Sequence, residues 1–277
     1  MIDAGQVDTA ACSTLSGFDM SVPNVARIYD YLLGGKDNFA ADRKAADALI
    51  RAMPSSVPNC LDNRAFLQRA ARWLAELGIR QFVDIGSGLP TAQNTHQVVH
   101  EVLPDARVVY VDYDPVVVNH AKALLVDKNF VGAIQRDLSR PAEILEDEGL
   151  RGFIDFREPV VVLMAAVVHF VSDDQRPYEI VGMFKDAMSS GSYLALTHVT
   201  SDHVSRKVRE TALDVYKGAS AQLTPRSQEQ VARFFDGLEL AQPGVVDIRL
   251  WRPEVRPSMP FDESRPASLY GGVGIKP

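Results

Sequence analysis

Cysteine is nearly absent. The 277 residues contain two, Cys12 and Cys60, too few for a disulfide framework or a cysteine-rich metal site, so the expectation is free thiols in a reducing compartment and no metal. Long apolar runs are missing too. The longest, Val160 to Val168, has nine residues, against about 20 for a membrane-spanning helix, so no membrane partner is expected. Residues 1–20 hold Asp3, Asp8 and Asp19 and no lysine or arginine, unlike the basic start and apolar stretch of a secretory signal; the expected location is the cytoplasm. Positive charge is in deficit. Lys+Arg 29 against Asp+Glu 36 leaves a net charge of −7, and because proteins hold nucleic acid by neutralising phosphates, nucleic acid is not an expected partner.

What is present has a globular composition: 46% apolar and 23% charged residues, close to the average of about 45–50% and about 25%. The length suits one domain or one and a half. Residues 1–20 read as a flexible N-terminus. From 21 to 78 the pattern is helical. Val25, Ile28, Tyr29 and Leu32 share one helix face, stopped by Gly34-Gly35. A second helix is expected from about Asp42 to Met53. A third, capped by Asn59 or Asp62, runs to Gly78.

The texture changes at Gln81. Gln81–Ile85, Arg107–Asp112 and Val160–Ala166 are short continuous apolar runs, the mark of buried parallel strands, and helical stretches separate them. This alternation predicts an α/β protein with a doubly wound, mostly parallel sheet, here residues 79–277, with 21–78 as an N-terminal helical cap. Leu238–Leu240 and Val245–Trp251 are expected as two late strands around the turn dipeptide Pro243-Gly244. The four prolines between Arg252 and Pro266 imply an extended loop, and the Gly-rich tail from Ala267 is a candidate to rejoin the sheet.

The chemistry concentrates at strand ends. Val83-Asp84-Ile85-Gly86-Ser87-Gly88 puts a glycine turn between a strand and a helix, where backbone N–H groups can approach a ligand. The dinucleotide fingerprint asks for a third glycine; Thr91 stands there instead. Asp112 follows Gly88 by 24 residues, near the spacing of about 20 at which an acid meets ribose hydroxyls. The next strand ends Gln135-Arg136-Asp137-Leu138. Three successive strands thus carry an aspartate toward one sheet edge, the ligand crevice of an open α/β sheet.

Asp84-Ile-Gly-Ser-Gly88, Val111-Asp-Tyr-Asp-Pro115 and Arg136-Asp-Leu138 together resemble the class I methyltransferases that use S-adenosylmethionine. The resemblance covers about residues 79–252 and implies a seven-stranded sheet whose last strand is reversed, matched here to the stretch through Trp251. It implies Asp84, Gly86, Ser87 and Gly88 at the methionine moiety, Asp112 on the ribose, Tyr113 beside the adenine, Asp137 and Leu138 at its edge, and Ala165 at the fourth strand end. Longer blocks, Val22–Phe39, Asn63–Leu67, Arg80–Thr91 and Tyr270–Gly274, resemble an actinobacterial family of such methyltransferases that was formerly a domain of unknown function. That likeness supplies a cofactor and leaves the methyl acceptor open.

Methyl transfer needs alignment of the acceptor and exclusion of water, with a general base only for some acceptors. His169, after the fourth strand, is the candidate base; a packed histidine supporting the pocket is the equal alternative. The Asn-Pro-Pro-Tyr type of motif found in methyltransferases of planar amines is missing there, which favours a small-molecule acceptor. Arg64 is a candidate for the cofactor carboxylate, and Tyr29, Tyr31 and Asn38 for the acceptor pocket. Two other functions remain open on these residues: a non-catalytic sensor that binds the nucleoside, and a nucleotide-dependent oxidoreductase.

Overall fold

The computed structural model describes residues 19–91, 93–127, 129–253 and 265–277. Cys12, nearly all of the expected flexible N-terminus and most of the proline-rich stretch at 252–266 lie outside them.

Three helices come first: α1 (Val25–Leu32), α2 (Ala40–Ala52) and α3 (Ser56–Glu76). Asn24 caps α1 by accepting the Ala26 N–H at 2.8 Å, and Gly34, at φ +80°, ends it in the left-handed conformation that glycine adopts at least cost. At Gly35 a Cβ would collide with the Asp30 carboxylate, so this pair is a helix stop with a close approach built into it. α3 begins upstream of the expected caps: Asn59 and Asp62 lie inside it. Pro58 explains the difference, because it falls in the first helical turn, where its missing N–H has no partner to lose.

The sheet follows as β1 (Gln81–Ile85), α4 (Thr95–His100), β2 (Arg107–Asp112), α5 (Pro115–Leu124), β3 (Val131–Gln135), α6 (Pro141–Leu145), α7 (Glu148–Arg151), β4 (Val161–Ala165), α8 (Pro177–Ala187), β5 (Tyr193–Val199), α9 (Arg206–Lys217), α10 (Gln228–Ala232), β6 (Glu239–Leu240), β7 (Val246–Asp247) and β8 (Leu269–Ile275). The strand order is β3-β2-β1-β4-β5-β8-β6, with β7 also paired to β8. β1 to β5 are parallel, and β8 runs antiparallel to each of its neighbours. The fold is the expected mostly parallel, doubly wound sheet of the class I methyltransferase type.

Two details correct the sequence reading. The described residues form eight strands, two of them only two residues long. The reversed strand is the Gly-rich tail and not the stretch through Trp251. After Asp247 the chain turns, with the Arg249 N–H donating to the Asp247 carboxylate, and Trp251 leaves the sheet to pack edge-on against Phe66 and Trp73. The tail fits between β5 and β6 because its glycines admit close neighbours: a Cβ on Gly271 would lie 2.9 Å from both Ile248 and Thr197.

Both faces of the sheet are covered, which is why its strands read as unbroken apolar runs. On one face Val83, Val109, Val162 and Leu196 pack under α6, α7 and α8. On the other, Phe82, Val108, Leu163 and Ala195 pack under α3 and Trp251. A third, separate cluster joins α1 and α2 to α9 through Ile28, Leu32, Leu49 and Tyr216. No helix among the described residues is long and apolar enough to cross a membrane.

Candidate functional site

The carboxyl ends of β1, β2 and β4 open into a cavity of about 1450 Å³, counting its mouth. β1 delivers Asp84, buried, whose carboxylate accepts the Thr95 hydroxyl at 2.6 Å; burial raises its pKa, and the Thr95 bond opposes that rise. The turn after β1 holds Gly86 at φ +68° and Gly88 at φ +66°, a region that side-chain-bearing residues enter at a cost of about 1–2 kcal/mol. A Cβ on Gly86 would strike Val167, whereas over Gly88 there is open space. The two glycines therefore do different work: one lets the turn pass beneath the β4 end, and the other leaves the cavity floor bare.

At the end of β2, Asp112 is 5% exposed. It accepts the Gly88 N–H and the Asp114 N–H, each at 3.0 Å, yet burial still pushes its pKa up to about 6. A buried carboxylate with unfilled acceptor capacity beside a bare glycine suits a vicinal diol that donates two hydrogen bonds. Tyr113, next in the chain, accepts from Asn24 Nδ2 at 3.2 Å and donates to Ser220 Oγ at 2.6 Å. Asp114 turns inward to Arg27 at 3.4 Å, and Arg27 also pairs with Asp42 at 2.9 Å.

At the β4 end, Ala165, Ala166 and Val167 line the cavity, and Ala166 sits at φ +55°. Its N–H donates to Thr197 Oγ1 at 2.8 Å; the Thr197 hydroxyl donates to Asn63 Oδ1 at 2.6 Å, and Asn63 Nδ2 donates to Tyr29 Oη at 2.9 Å. The Tyr29 hydroxyl donates to the Cys60 carbonyl at 3.0 Å. Burial raises the Tyr29 pKa and pushes the Cys60 thiol up to about 12, so neither is a nucleophile at neutral pH.

His169 lines the cavity and is buried. Its Nδ1 accepts the Val199 N–H at 3.3 Å, which assigns the ring proton to Nε2. Burial, with His198 and Arg226 nearby, holds its pKa well below the usual histidine value. His198 lies beside it, and its Nε2 accepts from Arg226 Nη1 at 2.8 Å. His203 contacts the Tyr270 hydroxyl.

The structure thus brings Asp84, Gly86, Ser87, Gly88, Asp112, Tyr113, Ala165, His169, Arg64 and Tyr29 around one cavity. Arg64 reaches the Gln93 carbonyl at 3.3 Å beside it. Four candidates lie elsewhere. Asp137 is exposed at the end of β3 and accepts the Ser139 N–H, while Leu138 packs into the core. Tyr31 donates to Asp47, and Asn38 bonds Asp30 and Arg43; neither of these two lines the cavity. Conversely, Asn63, Thr197, Arg209 and Arg226 were not read as site residues. Asn63 lies in a block that carried the family likeness; the other three have no local signature.

With this geometry in view, the comparisons with known proteins are specific. A family model described as S-adenosyl methyltransferase matches residues 13–277. A solved structure of a protein from Thermobifida fusca, provisionally named a methyltransferase, is 39% identical and superposes with a TM-score of 0.86 over 96% of this chain and 99% of its own. A solved protein of the DUF574 family from Streptomyces avermitilis is 36% identical, with a TM-score of 0.88 over 94% of this chain and 99% of its own. No curated protein matches the sequence. The family match displaces the oxidoreductase alternative. The chain belongs to the S-adenosyl methyltransferase family, and its cofactor is S-adenosylmethionine.

Proposed function

We propose that this enzyme methylates a small molecule enclosed between the strand ends and a cover made of α1, α2 and α9. The observation that carries this reading is the continuity of the cavity. The same space that meets Asp112 and the glycine turn extends past His169 to Leu32, Leu49, Met53, Val204 and Val208. The lining runs without a break from the glycine turn to α2 and α9, which sets the acceptor beside the nucleoside.

In this reading S-adenosylmethionine, when bound, supplies a sulfonium methyl group with a good leaving group already attached. The chain's own residues do the rest. Asp112 accepts from the ribose hydroxyls, Gly86, Ser87 and Gly88 keep the floor open, and Arg64 meets the carboxylate. Tyr113 flanks the adenine, and of the two β3-end residues the exposed Asp137 is the one free to meet its outer edge, Leu138 being packed in the core. Tyr29 holds the wall of the acceptor pocket through Asn63, and α3 serves as floor to both parts. The apolar cover excludes water, which strengthens each polar contact inside. His169 faces the acceptor. Net charge −7 supports a partner other than nucleic acid, and the buried, unpaired Cys60 supports a reducing, cytoplasmic setting.

Calorimetry with S-adenosylmethionine and its demethylated product, followed by incubation with methyl-labelled cofactor and cell extract, tests the proposal. Tight binding and a labelled small molecule are expected. Label only in macromolecules would overturn the small-molecule reading. A second reading, a cofactor-binding sensor, is favoured by one observation: the lone-pair nitrogen of His169 is already occupied by the Val199 N–H. Tight cofactor binding with nothing labelled would select it.

A further inference from the structure

Charge is kept to one end of the cavity and to its rim. Asp84 and Asp112 line the glycine-turn end, with Arg64 near enough to Asp84 to favour its ionised form. Arg209, the other charged residue on the lining, is exposed on α9. The part beyond His169 is walled by Leu32, Leu49, Met53, Val208, Phe170 and Tyr216. The Phe170 ring lies 4.4 Å from that of His169 and 5.5 Å from that of Tyr216, centre to centre, so three rings follow one another along this wall. Burial raises the Tyr216 pKa and holds that of His169 well below its usual value, so both are neutral at pH 7. A charged guest would give up its hydration here without a counter-charge among the described residues of the wall.

One polar group of this wall is aimed by a chain of bonds. Arg226, buried, donates to His198 Nε2 at 2.8 Å. His198 therefore carries its proton on Nδ1 and donates it to the Val199 carbonyl at 2.8 Å. The Val199 N–H in turn reaches His169 Nδ1 at 3.3 Å, and the His169 carbonyl accepts the Thr224 N–H at 2.7 Å. Ring and backbone are thus both held, with the His169 proton on Nε2. That N–H has no partner among the described residues, yet it is not sealed in: the one fully enclosed side-chain nitrogen or oxygen without a partner among them is Trp251 Nε1. His169 Nε2–H therefore opens on the cavity that its residue lines, as a donor and not an acceptor.

We propose that the methyl acceptor is an uncharged, apolar-bodied molecule whose carbonyl or ether oxygen accepts from His169 Nε2–H while its body lies along Phe170 and Tyr216. This deepens the function proposed above and rests on it. His169 binds the acceptor and selects an oxygen at that point. It does not take a proton, because its lone pair is spent on the Val199 N–H. Arg226 and His198 are positioning residues.

Calorimetry on the full chain, with and without saturating S-adenosylhomocysteine, tests the inference with four matched probes: 2-acetylnaphthalene, its hydrocarbon counterpart 2-isopropenylnaphthalene, 2-naphthoate and 2-naphthylmethylammonium. The ketone is expected to bind about tenfold tighter than the hydrocarbon, as one well-placed hydrogen bond gives, and both ions more weakly than either. His169→Phe removes the ketone preference, and Tyr216→Phe keeps it. Where His169→Phe does not fold, the ¹⁵N-histidine spectrum of the wild type decides: the His169 Nε2 signal moves on adding ketone and stays on adding hydrocarbon. Equal binding of ketone and hydrocarbon, no binding of ketone at millimolar concentration, or tighter binding of either ion would each overturn it. So would a full ketone preference in folded His169→Phe, or an Nε2 signal that the ketone leaves unmoved. Loss of S-adenosylhomocysteine binding in the wild type would instead strike the function proposed above, and the probe titrations on the cofactor-free chain still decide the acceptor class.

Discussion

Asp112 shows how one side chain carries both a cost and a use. With its pKa pushed up to about 6 by burial, against about 3.9 in the unfolded chain, the native state holds an extra proton between these two values. The ionised group therefore costs stability above pH 6, and the cost fades as pH falls toward 4. Thermal melts of cofactor-free Asp112→Asn should exceed wild type above pH 6 and converge with it near pH 4. Asp112→Ala should weaken S-adenosylhomocysteine binding by about 1–3 kcal/mol, the cost of unpaired buried donors, read by calorimetry.

The two glycines of the turn separate in the same way. Gly88→Ala should cost the fold only about 1–2 kcal/mol, for the left-handed backbone, while lowering cofactor affinity by covering the open floor. Gly86→Ala should melt markedly lower still, because its new methyl meets Val167. The buried histidines add a pH signature. Burial takes His198 down to about 3 and His169 well below its usual value, so the unfolded chain binds the extra protons and stability falls as pH drops below about 6.5. Histidine ¹⁵N spectra should show both rings neutral at pH 6, protonated on Nδ1 in His198 and on Nε2 in His169.

Among the elements, α1 is the one that ties the cover to the sheet. Arg27, buried on its inner face, joins Asp42 of α2 to Asp114 at the start of α5, and the Arg27 guanidinium also lies over the Phe39 ring. Truncation of one partner leaves buried carboxylates uncompensated, so Arg27→Met should destabilise the chain by about 3–5 kcal/mol in denaturant unfolding. Tyr113 makes the exposed counterpart, linking the α1 cap to Ser220 beyond α9. Elements of this kind were readable where their signal is local. The α1 stripe, the glycine turn and the Asp112 spacing all lie within short windows, and each came out in place. The start of α3 did not, because Pro58 reads as a breaker unless the first turn is known to surround it. Asn63–Thr197 and Arg226–His198 join residues 134 and 28 positions apart, and no periodicity encodes a contact between different elements.

On the scale of the molecule, the parallel half of the sheet was legible because burial on both faces leaves continuous apolar runs. The reversed strand was legible only as a tail that could rejoin the sheet, and its reversal was assigned to the stretch through Trp251 instead. Leu269–Ile275 contains three glycines among seven residues, a composition that reads as loop, and its strand character comes from neighbours that need a bare backbone to pass. Deleting 269–277 exposes the long edge of β5 and takes from β6 and β7 the strand they pair with. Such a chain should lose cooperative unfolding in circular dichroism and aggregate, as an uncovered strand edge does.

β8 also sets an order of events in synthesis. It follows every other described strand in the chain, yet it occupies an interior place in the sheet, between β5 and β6. While these residues are still inside the ribosome, the emerged chain can pair β1 to β5 but must hold a gap on their flank. The sheet therefore closes only once β8 has emerged, and a chain stopped before it keeps an open flank of unpaired backbone groups.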